Sequence, residues 1–142
     1  MSVSRLVFDD KKRVGSWVAD RVRFLAPWGG YYAMGAELNG ELVSGVVVQS
    51  WTNSNSVAHL AVSKPTKLLS DLLDHTVVYV FGQLKVKRLT VFVDADNEKS
   101  LKLTTHLGFV DEAILKGAGD DGVDVHLQVL WPENYRKGKK HG

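Results

Sequence analysis

The residue pattern predicts a mixed α/β domain, a sheet of both pairing senses with helices on its faces. Asn39-Gly40 lies between two apolar runs and suits a two-residue hairpin turn, which joins antiparallel neighbours. Leu69, Leu72, Leu73, Val77, Val80, Phe81 and Leu84 form a helical stripe between two strand-like runs, Ser56–Ser63 and Arg88–Asp94. A helix between strands requires a crossover, which favours a parallel pair. The chain's 142 residues, 44% of them hydrophobic, suffice for one domain and not for two.

Each element has its own signal. Val3, Leu6, Val7 and Phe8 suit a short opening strand. From Lys11 to Leu25, apolar residues at Val14, Trp17, Val18, Val22 and Leu25 keep helical spacing, and Pro27-Trp28-Gly29-Gly30 breaks it. The hairpin strands are Tyr31–Leu38 and Glu41–Trp51; Val46, Val47 and Val48 make the second apolar on both faces and therefore interior. A polar loop, Trp51–Asn55, leads to Ser56–Ser63, Pro65 ends that strand, and a helix follows to about Gly82. Arg88–Asp94 is a β-branched and aromatic strand. Asn97 suits an N-cap and Gly108 a C-terminal stop for the helix between them. Phe109–Lys116 and Val123–Trp131 are strands around a Gly117–Gly122 turn.

Composition narrows the class. With no cysteine, a disulfide framework, thiol catalysis and a thiolate zinc site are excluded. No apolar run reaches bilayer-spanning length and Met1–Asp10 lacks a signal-peptide core, so a cytoplasmic protein is expected. Of the 18 basic residues, Arg136, Lys137, Lys139 and Lys140 crowd the last seven positions; the other 14 face 16 acidic residues. The body is therefore slightly acidic, which argues against a general nucleic-acid grip. The expectation is one domain over 1–135 and a basic, solvated tail over 136–142.

The run Val91-Phe-Val-Asp-Ala-Asp-Asn97-Glu-Lys-Ser100-Leu-Lys-Leu-Thr-Thr-His106-Leu-Gly108-Phe109 resembles the GNAT superfamily of acyl-CoA-dependent N-acetyltransferases. There a strand leads to Asn, Ser or Ala follows three residues later, and a short helix ends in Gly-Phe. The element order across Leu6–Leu130 is also similar, and the whole chain looks like the small GNAT-like proteins of bacteriophages, which would place it in the host cytoplasm. The resemblance implies a mostly antiparallel sheet with a splayed parallel pair, Ser56–Ser63 beside Arg88–Asp94, and acetyl-CoA as co-substrate in the opening. It also implies pantetheine beside the backbone of Leu60, Ala61 and Val62, a pyrophosphate at the following helix N-terminus, and Asn97 and Ser100 reaching in from the other arm.

The residues fit that picture unevenly. Ser63-Lys64-Pro65-Thr66-Lys67-Leu68-Leu69 has no glycine where the family's phosphate loop carries two. Lys64 and Lys67 supply charge and Thr66 a hydroxyl, with the backbone of Thr66, Lys67, Leu68 and Leu69 as the anion-facing turn. Lys85, Lys87 and Arg88 are either further phosphate contacts or a solvated turn. Thr104 stands where many relatives carry a tyrosine acid. His59 is the expected base, because an imidazole changes charge near neutrality, and Ser56 the group to orient a water beside it. Strand alternation sends these two side chains to opposite faces unless a bulge intervenes. Trp28, Tyr31, Tyr32 and Trp51 either wall an acceptor pocket or pack the hairpin; Asp124 and His126 share a strand face as metal ligands would, but Gln128 beyond them favours a solvated edge. No metal site is expected. The leading expectation is an N-acetyltransferase whose acceptor is a protein N-terminus, a lysine or a small amine. The alternatives are an inactive module of this fold that binds a host protein, and an enzyme modifying nucleobases or nucleic acid with the basic tail as tether.

Overall fold

A computed structural model describes residues 3–22 and 28–136. Its strands are β1 (Ser4–Val7), β2 (Tyr32–Leu38), β3 (Glu41–Ser50), β4 (Asn55–Val62), β5 (Arg88–Asp94), β6 (Val110–Leu115) and β7 (Val125–Leu130). Its helices are α1 (Lys11–Val22), α2 (Leu68–Val78) and α3 (Glu98–Leu107). The strands form one sheet in the order β1-β2-β3-β4-β5-β7-β6. Every neighbouring pair is antiparallel except β4 and β5. The fold expected from the sequence is the one found.

Local chemistry explains the main turns. Asn39 and Gly40 take φ values of 53° and 84°, so both central hairpin residues are left-handed, as a type I′ turn requires. Asn97 caps α3 by accepting the Ser100 N–H on its side-chain oxygen at 3.2 Å. Gly108 ends α3 with φ 112°, and a Cβ there would lie 2.0 Å from the carbonyl oxygen of Asn134. That contact lets the chain after β7 fold back on α3, where the Arg136 N–H donates to the Leu107 carbonyl at 2.8 Å. The expected tail boundary at 136 is thus still tied to the body, and residues 137–142 lie outside the described residues.

The sheet carries a core on each face. On one face, Val14 and Val18 of α1 pack with Trp28 against Val7, Ala33, Val47 and Ala61. On the other, Leu72 and Leu73 of α2, Val80, Leu107 and Phe109 pack against Met34, Val46, Val48, Ala58, Leu89 and Leu130. Leu42 through Val48 of β3 are all buried, which accounts for its double-faced apolar run. Burying a side chain of this size contributes about 1.5–3 kcal/mol, and the two stripes fix which faces α1 and α2 cover.

Some boundaries move. The α1 stripe is ordered as a helix to Val22, while Leu25 and Pro27 lie outside the described residues. The helix after Pro65 starts only at Leu68 and passes at Tyr79–Gln83 into a π-helical turn. Glu37 sits at a register shift in β2 and is buried; Arg5 Nε donates to it at 2.7 Å and Arg13 Nη1 donates to its other oxygen. Hydrogen bonds from the two guanidinium groups hold its carboxyl below the ordinary glutamate range. A carboxylate at this depth is tolerable only with such partners.

Candidate active site

The one parallel junction in the sheet is short. β4 and β5 are in register only at Asn55↔Arg88, Ser56↔Leu89 and Val57↔Thr90. Beyond Val57, β4 stays paired with β3 out to Val62, and beyond Thr90, β5 stays paired with β7 out to Asp94. The two strands therefore part company, and the edges they turn towards each other have no ladder partner among the described residues. Buried backbone N–H and C=O groups require partners, so such an edge is suited to an extended amide-bearing ligand.

The closed end of this wedge is pinned on the α1 face. Thr90 Oγ1 donates to Asn55 Oδ1 at 2.7 Å, Arg88 Nη2 lies 3.2 Å from the same hydroxyl, and Arg88 grips Glu112 with two bonds of 2.9 Å. Arg88 is thereby committed. It also stands beside Asn55, at the opposite end of the parallel pair from Lys64 and Lys67. It is not the further phosphate contact offered as one alternative above.

His59 is the next residue of β4 on that face after the last rung, and Phe92 is its counterpart on β5. The His59 ring lies 4.9 Å from the Trp28 ring, and its Nε2 is 2.9 Å from Gln49 Oε1. Trp28 is itself fixed to α1, its indole N–H donating to the Gly15 carbonyl at 2.8 Å. Burial pushes the His59 pKa below its ordinary 6.5, so the imidazole is neutral at pH 7. Trp51 and Phe92 meet at 6.3 Å and are largely exposed next to this opening. Of the aromatic residues singled out in the sequence, Trp28 and Tyr31 contact each other on the His59 face, whereas Tyr32 points to the opposite face, against Tyr79.

Ser56 is not brought to His59. The β3–β4 register runs without a shift from Ser44↔Val62 to Ser50↔Ser56, so no bulge reorients the strand. Ser56 is fully buried on the α2 face, its hydroxyl 3.4 Å from that of Ser50. It cannot orient a water beside the imidazole, and that expectation is corrected by strand alternation alone.

At the wide end, β4 runs through Leu60, Ala61 and Val62 into the turn before α2. Thr66 is its organiser: its hydroxyl accepts the Leu68 N–H at 3.3 Å and its carbonyl the Leu69 N–H at 3.1 Å. Those two donors are therefore satisfied within the turn. Among the described residues, the N–H groups of Thr66 and Lys67 have no partner, and Lys64 and Lys67 stand on either side of Thr66 in the chain. An anion can be met here by two backbone donors and two cations, a smaller cradle than Thr66–Leu69 promised.

On the other arm, Asn97 and Ser100 occupy the first turn of α3, with the Asn97 oxygen already spent on its cap. Thr104, one turn further, is buried; its hydroxyl lies 2.5 Å from Gln128 Oε1, and Gln128 Nε2 donates to Asp111 at 3.0 Å. Asp111 also meets His126 Nδ1 at 3.0 Å. Burial raises the Asp111 pKa, but the hydrogen bonds from Gln128 and His126 outweigh it, leaving a net lowering. His126 thus turns to β6 and not to Asp124, which instead accepts the Gly117 N–H at 3.0 Å. The sequence reading missed Gln49, Asn55 and Thr90, and it took Gln128 as the mark of a solvated edge, whereas Gln128 is buried between Thr104 and Asp111. The available signal was a polar side chain interrupting an apolar strand run, as Gln49 does after Val46–Val48.

A seven-stranded sheet with one splayed parallel pair, α1 on one face and α2 on the other, is the fold of GNAT-family acetyltransferases. Solved structures share it, among them three acetyltransferases. Spermidine/spermine N-acetyltransferase SpeG from Vibrio cholerae, in a mutant form, superposes with TM-score 0.73 at 13% identity over 94% of this chain and 95% of its own. A GNAT-family acetyltransferase from Streptococcus pneumoniae gives TM-score 0.73 at 16% identity over 91% and 99%. The third, yncA from Salmonella typhimurium, is assigned as an acetyltransferase and was solved with its cofactor acetyl-CoA; it gives TM-score 0.72 at 15% identity over 96% and 98%. No protein-family model matches the sequence, and neither does any curated protein. Among the described residues, no helix is long and apolar enough to cross a membrane.

Proposed function

We propose that this protein transfers an acetyl group from acetyl-CoA to a primary amine. The observation that carries the reading is the β4–β5 ladder, which stops after three rungs and leaves His59 as the first side chain beyond it on the α1 face. The residues fit the co-substrate at three points. Leu60, Ala61 and Val62 offer a strand edge to its amides, Thr66 and Lys67 offer N–H groups to its pyrophosphate, and Lys64 and Lys67 offer opposite charge. Asn97 and Ser100, at the start of α3 just after β5, are the groups proposed to reach it from the other arm.

Acetyl-CoA supplies an activated thioester and a thiolate leaving group; the protein supplies position and a base. An amine attacks only when neutral, and the His59 imidazole, uncharged at pH 7, is placed to take its proton. Thr104 provides no acid, because its hydroxyl is enclosed against Gln128. The leaving thiolate therefore takes its proton from water, which a thiol pKa of about 8.5 allows.

Calorimetry with acetyl-CoA and a thiol-release assay over a panel of amines and peptides test the proposal together. Binding with release of CoA thiol on addition of an acceptor is the expected result. Absence of heat at millimolar acetyl-CoA would overturn it. That result would favour the second reading, an inactive module of this fold, whose one support is that Thr66 already consumes the Leu68 and Leu69 donors.

A further inference from the structure

His59 and Trp28 are not the only members of their cluster. Between them lies Gln49 of β3, whose amide nitrogen Nε2 is 2.6 Å from the Trp28 carbonyl oxygen and whose Oε1 is 2.9 Å from His59 Nε2. The two ends of a glutamine amide look alike in shape but not in chemistry: one end only donates and the other only accepts. A backbone carbonyl only accepts. The end of Gln49 facing Trp28 must then be the NH2 group, since the reverse orientation would set two oxygens against each other at 2.6 Å. The end facing His59 is consequently the oxygen, and it needs a proton from the ring.

We infer that Gln49 is a positioning residue that holds His59 in the Nε2–H form, so that the lone pair, and with it the capacity to accept the amine's proton, resides on Nδ1. The inference rests on the reading of His59 as the base. It assigns which nitrogen acts and which side chain decides it. The chain of constraint starts well away from the reacting atoms: Gly15 accepts the Trp28 indole N–H, Trp28 orients the Gln49 amide, and Gln49 orients the imidazole. In water a free imidazole exchanges its proton between the two nitrogens, and a base fixed in one form presents its lone pair in one direction. The half-buried site supports this arrangement, since a polar group shielded from water must find its partner within the protein.

Nitrogen-15 NMR of histidine-labelled protein reads the tautomer directly, without any assay of activity. The expected spectrum for His59 shows a pyrrole-like Nε2 and a pyridine-like Nδ1; a protonated Nδ1, or fast exchange between the two forms, would overturn the inference. In Gln49→Met, of similar length and without hydrogen-bonding capacity, the His59 signals should collapse towards a tautomer average. kcat should fall roughly tenfold or more while KM for acetyl-CoA stays within about twofold, the signature of a group felt in the transition state. If Gln49→Met fails to fold, Gln49→Glu provides the second variant. A carboxylate cannot donate to the Trp28 carbonyl and must turn from it, but towards Nε2–H it still accepts and stabilises the imidazolium, so the acidic limb of kcat/KM should move to higher pH. An unmoved limb would count against the coupling. Failure of the base reading looks different: His59→Ala would keep full turnover while the Nε2–H signature in the unaltered protein stood.

Discussion

Thr104→Val is the most informative single change to make. It removes one hydroxyl from a buried site and keeps the side chain's shape. The network around it fixes the orientation of the Gln128 amide. Asp111 accepts, so the Gln128 group facing it is the NH2, and Gln128 Oε1 must therefore face Thr104. The Thr104 hydroxyl has a single proton, and the Gln128 oxygen at 2.5 Å takes it; Ser100 O at 3.0 Å and Leu101 O at 3.3 Å lie nearby as alternatives. Gln128 is 3% exposed, so water cannot replace the lost donor. An acceptor stranded in this way costs about 1–3 kcal/mol. For a chain of this size that corresponds to a fall of roughly 3–10 °C in Tm. Urea denaturation of Thr104→Val, Gln128→Leu and the double variant should give a coupling of about 1 kcal/mol or more, with the double variant less damaged than the two single losses added together. Turnover at a temperature where all variants are folded should stay within a few-fold of the starting protein. A large loss of kcat with unchanged stability would refute the reasoning, since Thr104 would then be acting on the substrate and not on Gln128.

Three further outcomes are expected. His59→Ala should lower kcat by on the order of 10²–10⁴-fold with little change in acetyl-CoA affinity measured calorimetrically, and in the starting protein kcat/KM, once expressed per neutral amine, should fall only below pH 6.5, because burial holds the His59 pKa under that value. Lys67→Glu reverses a charge beside the turn proposed to meet the pyrophosphate, and CoA binding should weaken roughly tenfold at low salt and less at high salt, as titrations at two ionic strengths would show. Glu37 has a folded-state pKa below its ordinary 4.5, so the stability it confers is complete above that pH and disappears as pH drops through the lowered value. Melting curves of Glu37→Gln and the starting protein should accordingly converge on acidification, and curves that stay parallel would show that the carboxylate is not preferentially held in the folded state.

The parts of the fold governed by neighbours in sequence were open to reading. Asn39-Gly40 demanded left-handed residues, Asn97 and Gly108 marked the ends of α3 within its true bounds, and the Leu/Val stripe announced α2. Arg88–Asp94 was found at its expected limits. What could not be read depends on which residues meet across the sheet. Gln49 reaches its partners 10 and 21 positions away, Thr104 meets Gln128 24 positions on, and Arg88 closes on Glu112 24 positions on. Only the register decides such meetings, and one residue of slip would send each side chain to the other face. Ser56 illustrates the point, since its separation from His59 depended solely on whether β4 carried a bulge. The turn before α2 was harder for a different reason. Thr66 could offer its oxygen to a ligand or to its own helix, and in the structure it serves the helix.

The placement of the opening follows from how the sheet is held together. β1 to β4 form one antiparallel ladder and β5, β7 and β6 another, and each ladder is continuous to the ends of its strands around the joint. Parallel pairing is slightly weaker per residue than antiparallel pairing, so where the two ladders twist apart the three-rung junction yields first. The Asn55–Thr90–Arg88–Glu112 chain then decides at which end it yields. It clamps the start of β4 to the start of β5 and onward to β6, and beyond Val57 and Thr90 no such clamp is present among the described residues. A wedge closed at that end and open towards the α2 N-terminus brings the depth of the opening to His59 and its mouth to Lys64 and Lys67. The clamp, which contains no residue assigned to chemistry, is thus what sets His59 at one end of the opening and two lysines at the other.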